Sequence, residues 1–332
     1  MKITKPACFD AFRCIASLCP DSCCKEWDVQ VDPEYAAYYR SLPGALGDRL
    51  RSVLKDEDGE TYMVIEDGRC PMWRQDGLCR LQSELGEQAL CKTCREFPRL
   101  THDYGDFMEL GLELSCPEAA RILLNGDWAL CEEEIPGDGL GEYDEEAMEV
   151  LLTTRETVRR ILADTQRPVQ ETLALALLYG CQAQGELDSG EMLPFDEPAA
   201  LDTGLTMATE GDPEGILAFF RELEILTPQW QHRLAQYSPG PWQEAHRRMA
   251  RYFVDRYWLQ AVSDYDLYSR VKLMVVSCLA VRLLGGDTVE TAQLYSKEIE
   301  NNIDNVEAIL DGAYTCPAFT DDKLLALLLK EA

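Results

Sequence analysis

The sequence predicts a mainly α-helical protein, with a small cysteine-rich α+β lobe followed by an all-α helical bundle lobe. Three observations lead to this prediction. Eleven of the 14 cysteines lie at or before Cys131. Short apolar/polar alternations and turns between these cysteines indicate short strands. Beyond residue 143, apolar residues recur with helical spacing. We therefore expect a cysteine-rich lobe at 1–131, an acidic linker at 132–143 and a helical lobe at 144–332.

The predicted elements of the first lobe are short. A strand is expected from Trp27 to Val31, and Asp32 and Pro33 then provide the N-cap and the first position of a helix that ends near Pro43. A loop is expected at 101–105. Further strands are predicted at 61–66 and 106–114, and further helices at 48–55, 80–86, 87–95 and 117–124.

The second lobe has almost continuous helical periodicity. Residues 185–211 are richer in glycine, aspartate and proline, so we expect a long exposed connection there. Helices are predicted at 144–164, 168–184, 213–226, 228–237, 242–262, 266–285, 288–312 and 321–331.

The overall composition is that of a globular and strongly acidic protein. Hydrophobic residues make up 46% and charged residues 27% of the 332 residues, and the net charge is −29. Such a surface repels nucleic acid and anionic membranes, so both are poor partners. It attracts a basic protein surface with exposed lysines, although plain solubility also explains it.

The many cysteines are not expected to form disulfides. No apolar run follows Met1-Lys-Ile-Thr-Lys-Pro6, so we expect no signal peptide and a cytoplasmic location. Thiols stay reduced in that compartment. A bound metal or an iron–sulfur centre is therefore the best explanation for the dense N-terminal cysteines.

The spacing of the cysteines leaves the kind of centre open. Close cysteines beside turns supply part of a site, and distant ones complete it. Adjacent residues usually point apart, so Cys23 and Cys24 both bind metal only if the loop wraps one ion or if they serve different ions. The two-residue gap between Cys91 and Cys94 suits zinc, iron–sulfur and redox dithiols alike.

The remaining cysteines need no metal. Free cysteine is often buried as a small apolar residue. We therefore predict such a buried role for Cys181 and Cys278, and a structural role for Cys8, Cys131 and Cys316.

Several motifs occur together in the first 125 residues. The run Cys-x4-Cys-x3-Cys-Cys precedes Trp27, and the later motifs are Cys70-Pro, Leu78-Cys79, Leu85-Gly-Glu87, Thr93-Cys94-Arg-Glu-Phe-Pro-Arg99 and Ser115-Cys116-Pro-Glu-Ala-Ala-Arg121. This set resembles the flagellin lysine-N-methylase family, which belongs to a wider group of cysteine-rich proteins regarded as zinc- or iron-chelating. The resemblance continues more weakly into the helical half, for example at Tyr252-Phe-Val-Asp-Arg-Tyr257.

The resemblance implies an activity and a set of metal ligands. The activity is iron–sulfur-dependent methyl transfer from S-adenosylmethionine to lysine side chains of flagellin, with a [4Fe–4S] cluster and with zinc as the alternative metal. The implied ligands exceed the four of one cluster, so either a second metal is held or some have other roles. These ligands are Cys14, Cys19, Cys23, Cys24, Cys70, Cys79, Cys94 and Cys116, whereas Cys91 stands outside the set.

The S-adenosylmethionine site has no familiar motif. No glycine-rich loop follows a strand, so we expect an unfamiliar site beside the cluster. Lysine is a nucleophile only when neutral, so the acceptor site needs a base or an apolar slot. Candidate groups are Glu87, Glu96, His102, Tyr104 and Glu113, and Arg99 and Glu87 are the predicted substrate-binding residues.

Two other functions remain open at this stage. One is a structural zinc or iron–sulfur protein without methyltransferase activity. The other is a redox protein that uses Cys91 and Cys94.

Overall fold

The structure, a computed structural model, describes residues 1–25, 29–126, 128–137 and 139–330. Within these ranges the chain is mainly helical. The α-helices are α1 (Pro33–Ser41), α2 (Gly44–Val53), α3 (Arg80–Leu85), α4 (Lys92–Glu96), α5 (Pro117–Asn125), α6 (Glu145–Ala163), α7 (Val169–Ser189), α8 (Glu197–Met207), α9 (Pro213–Glu222), α10 (Pro228–Leu234), α11 (Glu244–Tyr257), α12 (Leu267–Leu284), α13 (Thr288–Ile299), α14 (Ile303–Thr315) and α15 (Asp321–Leu329). The strands are β1 (Lys2–Pro6), β2 (Val29–Val31), β3 (Leu54–Glu57), β4 (Glu60–Met63), β5 (Arg99–Asp103), β6 (Phe107–Leu112) and β7 (Leu130–Glu134).

Aspartate side chains begin many of the helices. At each of these positions the carboxylate accepts a hydrogen bond from a backbone N–H of the first turn, which has no partner within the helix. The negative charge also suits the positive end of the helix dipole. The capping residues are Asp32, Asp144, Asp196, Asp212, Asp266 and Asp287.

A four-stranded sheet brings distant parts of the chain together. Its strand order is β5-β6-β1-β7, with β1 parallel to β6 and antiparallel to β7. The acidic strand β7 is tolerated because Lys2 lies 2.6 Å from Glu132 and Lys5 lies 2.7 Å from Glu133. In the β5–β6 pair, His102 lies opposite Glu109.

A smaller apolar cluster occupies the segment from β2 to α4. The three-stranded sheet β2-β4-β3 packs with α1 and α2 around it. Tyr39 and Leu50 are fully buried there, and Cys70 and Cys91 are buried in the same cluster.

The larger apolar cluster spans the rest of the chain. It contains Phe9, Phe12 and α5 together with α6 to α15, and α12 is buried over most of its length. The cluster therefore takes residues from both sides of the predicted linker at 132–143. The division into a 1–131 lobe and a 144–332 lobe remains a prediction.

The mainly α fold class is confirmed, as are most of the predicted helices. Trp27 and Asp28 lie outside the described residues, and the rest of the strand predicted there is β2. The predicted helix at 48–55 begins earlier and ends at Val53, and the predicted strand at 61–66 ends at Met63.

Four other predictions are wrong in whole or in part. The expected loop at 101–105 is mostly β5, which pairs with β6. The expected connection at 185–211 contains the end of α7 and all of α8. The predicted helix at 288–312 is broken at Asn302, whose side chain caps α14. The start of the predicted linker is β7, because lysines on β1 neutralise its glutamates.

A buried ion pair joins the four-stranded sheet to α6. Arg155 donates two hydrogen bonds to Glu109, at 2.7 and 2.6 Å, and the side chains are 3% and 11% exposed. The bidentate geometry offsets the cost of removing both charges from water. Within the described ranges, no helix is both long and apolar enough to cross a membrane.

Removing one partner of this pair is expected to destabilise the protein strongly. Arg155→Met leaves the Glu109 carboxylate buried without its guanidinium, so the free energy of unfolding should fall by about 3–5 kcal/mol. Urea unfolding measures this change. Arg80→Met in the more exposed Arg80–Glu84 pair is the control, and its effect should stay below about 1 kcal/mol. Equal effects of the two substitutions would contradict the prediction.

Candidate functional site

The loop that carries Cys14 to Cys24 is anchored to α13. Asp21 lies 2.9 Å from the Lys297 ammonium, and these side chains are 24% and 10% exposed. Gln293 donates hydrogen bonds to Asp21, at 3.4 Å, and to the Ser115 carbonyl, at 2.7 Å. The loop therefore lies against Ser115 and Cys116 at the start of α5, about 100 residues further along the chain.

The first group of cysteines lies on this loop and at the start of α5. We name it set A (Cys14, Cys19, Cys23, Cys116). Burial raises the pKa of Cys116 to about 11, and Cys19 and Cys14 act in the same direction. The pKa of Cys23 is raised by its hydrogen bond with Cys24, by burial, and by Cys14 and Cys116. The charges of these thiols therefore act on one another.

The second group lies beside the smaller apolar cluster; we name it set B (Cys24, Cys70, Cys79, Cys94). The Cys70 N–H donates to the Cys24 carbonyl at 2.7 Å. A turn then returns the chain, because Trp73 pairs with Cys79 and the Arg80 N–H donates to the Met72 carbonyl. Cys70 is part of the cluster, and Cys24 and Cys79 pack against it.

Tyr39 and β2 position α4, which carries Cys94. The Tyr39 hydroxyl accepts a hydrogen bond from the Cys91 N–H at 2.8 Å and donates to the Ala89 carbonyl at 2.7 Å. Thr93 donates to the Gln30 carbonyl at 2.9 Å. Because these bonds fix both the start of α4 and its first turn, Cys94 is held beside Cys91.

Hydrogen bonds among the thiols favour one thiolate in set B. Bonds from Cys23 and Cys70 lower the pKa of Cys24 to about 3. The pKa of Cys70 is raised in turn by the bond to Cys24 and by burial. A bond with Cys94 lowers the pKa of Cys91 to about 7, while the pKa of Cys94 is raised. A thiolate is the form of cysteine that binds metal.

Cys23 and Cys24 have mostly different neighbours, although they share one hydrogen bond. Cys23 is affected by Cys14 and Cys116, whereas Cys24 contacts Cys70. Of the two arrangements that the sequence left open, this separation favours adjacent cysteines that face different groups. In residues 1–25, 29–126, 128–137 and 139–330, however, no three His, Cys, Asp or Glu side chains converge closely enough to hold a metal ion.

The other cysteines lie apart from the two sets or differ from expectation. Cys91 is buried next to Cys94, although the sequence placed it outside the ligand set. Cys278 is fully buried in α12, as predicted. Cys181 is exposed on α7, so its prediction as a buried small residue is wrong. Cys8 and Cys316 pack against the larger apolar cluster, and Cys131 is exposed on β7.

A cavity of about 50 Å³ lies between the four-stranded sheet and helices α6 and α11. Leucines from the sheet and from α5 form much of its wall, including Leu100, Leu112 and Leu123. Two polar atoms in its lining residues, His102 Nε2 and Trp128 Nε1, are buried and have no hydrogen-bond partner among the described residues. Burial and the charge of Arg256 lower the pKa of His102, so the imidazole is neutral at physiological pH.

A buried polar network connects this cavity to set A. Arg256, which lines the cavity, lies 3.3 Å from Glu300 and 3.8 Å from Glu113. The Ser115 hydroxyl donates to Glu113 at 3.1 Å, and Cys116 follows Ser115 directly. Burial raises the pKa of Glu113, and the charge of Arg256 opposes this effect. The cavity and set A are therefore linked through a few side chains.

The predicted substrate-binding residues lie away from this network. Arg99 begins β5, and its guanidinium lies over the ring of Phe12, 5.2 Å from the centroid. Glu87 is exposed in the 3₁₀ helix Glu87–Ala89. Their role in substrate binding remains a prediction.

The other candidate groups are divided between surface and interior. Glu96 is exposed at the end of α4. Tyr104 stacks on Phe107, with ring centroids 4.7 Å apart. Of the five candidates, His102 lines the cavity and Glu113 contacts Arg256 in the adjoining network.

Sequence reasoning missed the buried charges around the cavity. Arg159 donates a hydrogen bond to Asp255 at 2.7 Å, and Tyr257 donates to Glu300 at 2.9 Å. Arg159 and Asp255 lie on amphipathic helices, on which charged residues usually face solvent. The one available signal was the group of arginines around 247–256, which occurs within an otherwise acidic chain.

Together, the fold and the thiol clusters define a mainly helical protein with a cysteine-rich N-terminal part. The chain is 34% identical, over 133 residues, to the flagellar biosynthetic protein FliU of Salmonella muenchen; the match covers 37% of this chain and 77% of that protein. The chain therefore belongs to the flagellin lysine-N-methylase family.

Two longer relatives match over a smaller share of their length. The lysine-N-methylases of Salmonella typhimurium and Salmonella choleraesuis are each 32% identical over 142 residues, which is 40% of this chain and 35% of each relative. The matched part thus spans about a third of the length of those two relatives. No protein-family model and no solved structure matches the chain.

One cysteine is expected to be ionised well below the usual range. Because hydrogen bonds from Cys23 and Cys70 lower the pKa of Cys24, the reduced and metal-free protein should contain one thiolate at pH 5.5, where ordinary thiols are protonated. Thiolate absorbance at 240 nm measures it. Cys24→Ser should remove this absorbance at pH 5.5, whereas Cys131→Ser, on the exposed strand β7, should leave it unchanged. An unaltered signal in Cys24→Ser would contradict the assignment.

Proposed function

We propose that the chain is a protein lysine N-methyltransferase that uses S-adenosylmethionine as methyl donor and flagellin as acceptor. The observation that supports this proposal most directly is the similarity to two lysine-N-methylases and to a flagellar biosynthetic protein. The net charge of −29 agrees with a basic, lysine-bearing protein surface as partner.

We further propose that the enzyme depends on a [4Fe–4S] cluster, with zinc as the alternative. The residues fit either metal in chemistry and number, because each of the two sets supplies four soft sulfur donors. Set A (Cys14, Cys19, Cys23, Cys116) would hold one centre, and set B (Cys24, Cys70, Cys79, Cys94) would hold the other. Metal binding requires the cysteine side chains to move together, since no three of the described groups converge.

The two sets suit different roles. Set B lies against the smaller apolar cluster, which favours a structural centre. Set A is joined through Ser115 and Glu113 to Arg256 and the cavity, which favours a place near the reaction. An iron centre with an open position would supply a point of attachment for the amine and carboxylate of the methyl donor.

The protein itself must deliver a neutral lysine to the methyl donor. The lysine Nζ lone pair forms the new C–N bond while the S–CH₃ bond of S-adenosylmethionine breaks, and S-adenosylhomocysteine leaves. Buried surroundings disfavour the ammonium form and so favour the nucleophile. Neutral His102 is the candidate base for the released proton, because its Nε2 is buried and unpaired.

A structural metal protein is the second candidate function. The specific observation in its favour is the position of Cys24, Cys70 and Cys79 at the smaller apolar cluster. A redox role of Cys91 and Cys94 rests on their hydrogen bond and on the lowered pKa of Cys91.

Methyl transfer is tested with purified flagellin and isotope-labelled S-adenosylmethionine after anaerobic purification. Label should appear on flagellin lysines, and removal of the metal should abolish the transfer. Zinc without acid-labile sulfide, combined with no transfer, would favour the structural function. Reversible oxidation of Cys91 and Cys94 without transfer would favour the redox function.

The partition of the ligands into two sets predicts independent losses of metal. Cys116→Ser should remove the metal of set A alone, and Cys79→Ser that of set B alone, since one thiolate is lost from each. Each single variant should retain about half of the metal, and the double variant should retain none. Elemental analysis measures this, with Cys131→Ser as the control at full content. Complete loss of metal in either single variant would contradict two separate sites.

A further inference from the structure

The cavity beside β5 and β6 is lined by residues with polar atoms that have no hydrogen-bond partner among the described residues. Most buried polar atoms in proteins are hydrogen-bonded, and an unpaired one in a cavity indicates a missing partner. Here two such atoms, His102 Nε2 and Trp128 Nε1, belong to residues that line one cavity. The indole is held in place by Arg251, whose guanidinium lies 5.8 Å from the ring centroid.

The charged groups of the cavity are already paired, so they do not demand an ionic ligand. Glu109 is bound by Arg155, and Asp255 is bound by Arg159 and Arg251. Arg256 contacts Glu300 and the Tyr252 hydroxyl. A ligand that enters the cavity therefore meets leucine side chains, charged groups that already have partners, and the two unpaired nitrogen atoms.

The size of the cavity restricts the ligand to a slender group. One water molecule needs a cavity volume of about 10–15 Å³. The cavity of 50 Å³ therefore holds about four atoms of that size, that is, about four non-hydrogen atoms. A lysine side chain beyond Cβ has that size, since it consists of three methylene groups and one nitrogen. A complete nucleoside needs a pocket of about 300 Å³ or more.

The two unpaired nitrogens match a neutral primary amine. A neutral amine accepts one hydrogen bond and donates others, whereas an ammonium has no lone pair to accept one. Trp128 Nε1–H can only donate, and the neutral imidazole can accept at Nε2. Desolvation between leucines also disfavours the charged form of the amine.

We propose that this cavity binds the side chain of the acceptor lysine, with His102 and Trp128 in contact with its nitrogen. The inference rests on the proposed function and names the place where that function receives its substrate. On entry, the lysine ammonium loses its proton to water, one N–H of the neutral amine donates to His102 Nε2, and Nζ keeps its lone pair. Trp128 then stabilises the neutral form by donating to that lone pair.

The binding test uses n-butylamine as a probe and follows the indole N–H resonances of the full chain by NMR. Trp128→Phe assigns the Trp128 signal, which should shift saturably with n-butylamine and much less with 1-butanol or methionine. Trp242→Phe provides the matched control, because Trp242 Nε1 is also buried and unpaired but lies outside this cavity. No shift of the Trp128 signal, or a larger shift with methionine, would overturn the proposal.

The variants also separate this proposal from the proposed function. Measured by calorimetry, Trp128→Phe should weaken n-butylamine binding about fivefold, the effect of one lost hydrogen bond, and it should raise KM for flagellin. His102→Gln should lower kcat more than KM, whereas His232→Gln, at an exposed position on α10, should change neither. Methylation that is unaffected by both cavity variants would overturn the lysine site and leave the methyltransferase proposal intact. Binding of n-butylamine without any methylation would support the site and contradict the proposed function.

Discussion

The ion pair between Asp21 and Lys297 is the contact on which the cysteine arrangement depends. It is largely shielded from water, so its attraction is stronger than that of a surface pair. With Gln293 it fixes a loop that contains only 3₁₀ turns and has no sheet partner for residues 14–23. The charges of Cys14 and Cys116 then act on Cys23, whereas Cys24 forms a hydrogen bond with Cys70. Without this anchor the N-terminal cysteines would have little to orient them.

The buried charges around the cavity are a second constraint. Glu109–Arg155 and Asp255–Arg159 join the sheet to α6 and α6 to α11. Buried pairs of this kind add little net stability, because desolvation offsets their attraction. They do exclude other packings, since any shift of α6 against the sheet would leave a charge unpaired. The cavity therefore has a defined shape although leucines form much of its wall.

The sequence predicted the elements that local interactions stabilise, and it missed those that depend on partners far away in the chain. Local signals, such as Asp32 before Pro33 or the helical periodicity of α6 and α7, predicted those helices well. Strands β1 and β7 were missed because their stability comes from each other and from lysine–glutamate pairs, 130 residues apart in the chain. The cysteines were recognised from spacing, but their division into two groups requires the contacts of Asp21 and Tyr39. The paired charges and the unpaired nitrogens of the cavity have no sequence signature, since each depends on a partner from another element.

The central position of β1 has a consequence for the order of events during synthesis. This strand lies between β6 and β7, whose residues follow it by more than 100 positions. Translation at about 5–20 residues per second implies that the segment from Cys14 to Cys24 waits roughly 5–20 s for Cys116 and β6. During that time its thiols are exposed on a nascent chain and are open to oxidation or to stray metal ions. A chaperone or metal donor that acts on the growing polypeptide would therefore meet these four thiols before the sheet has formed.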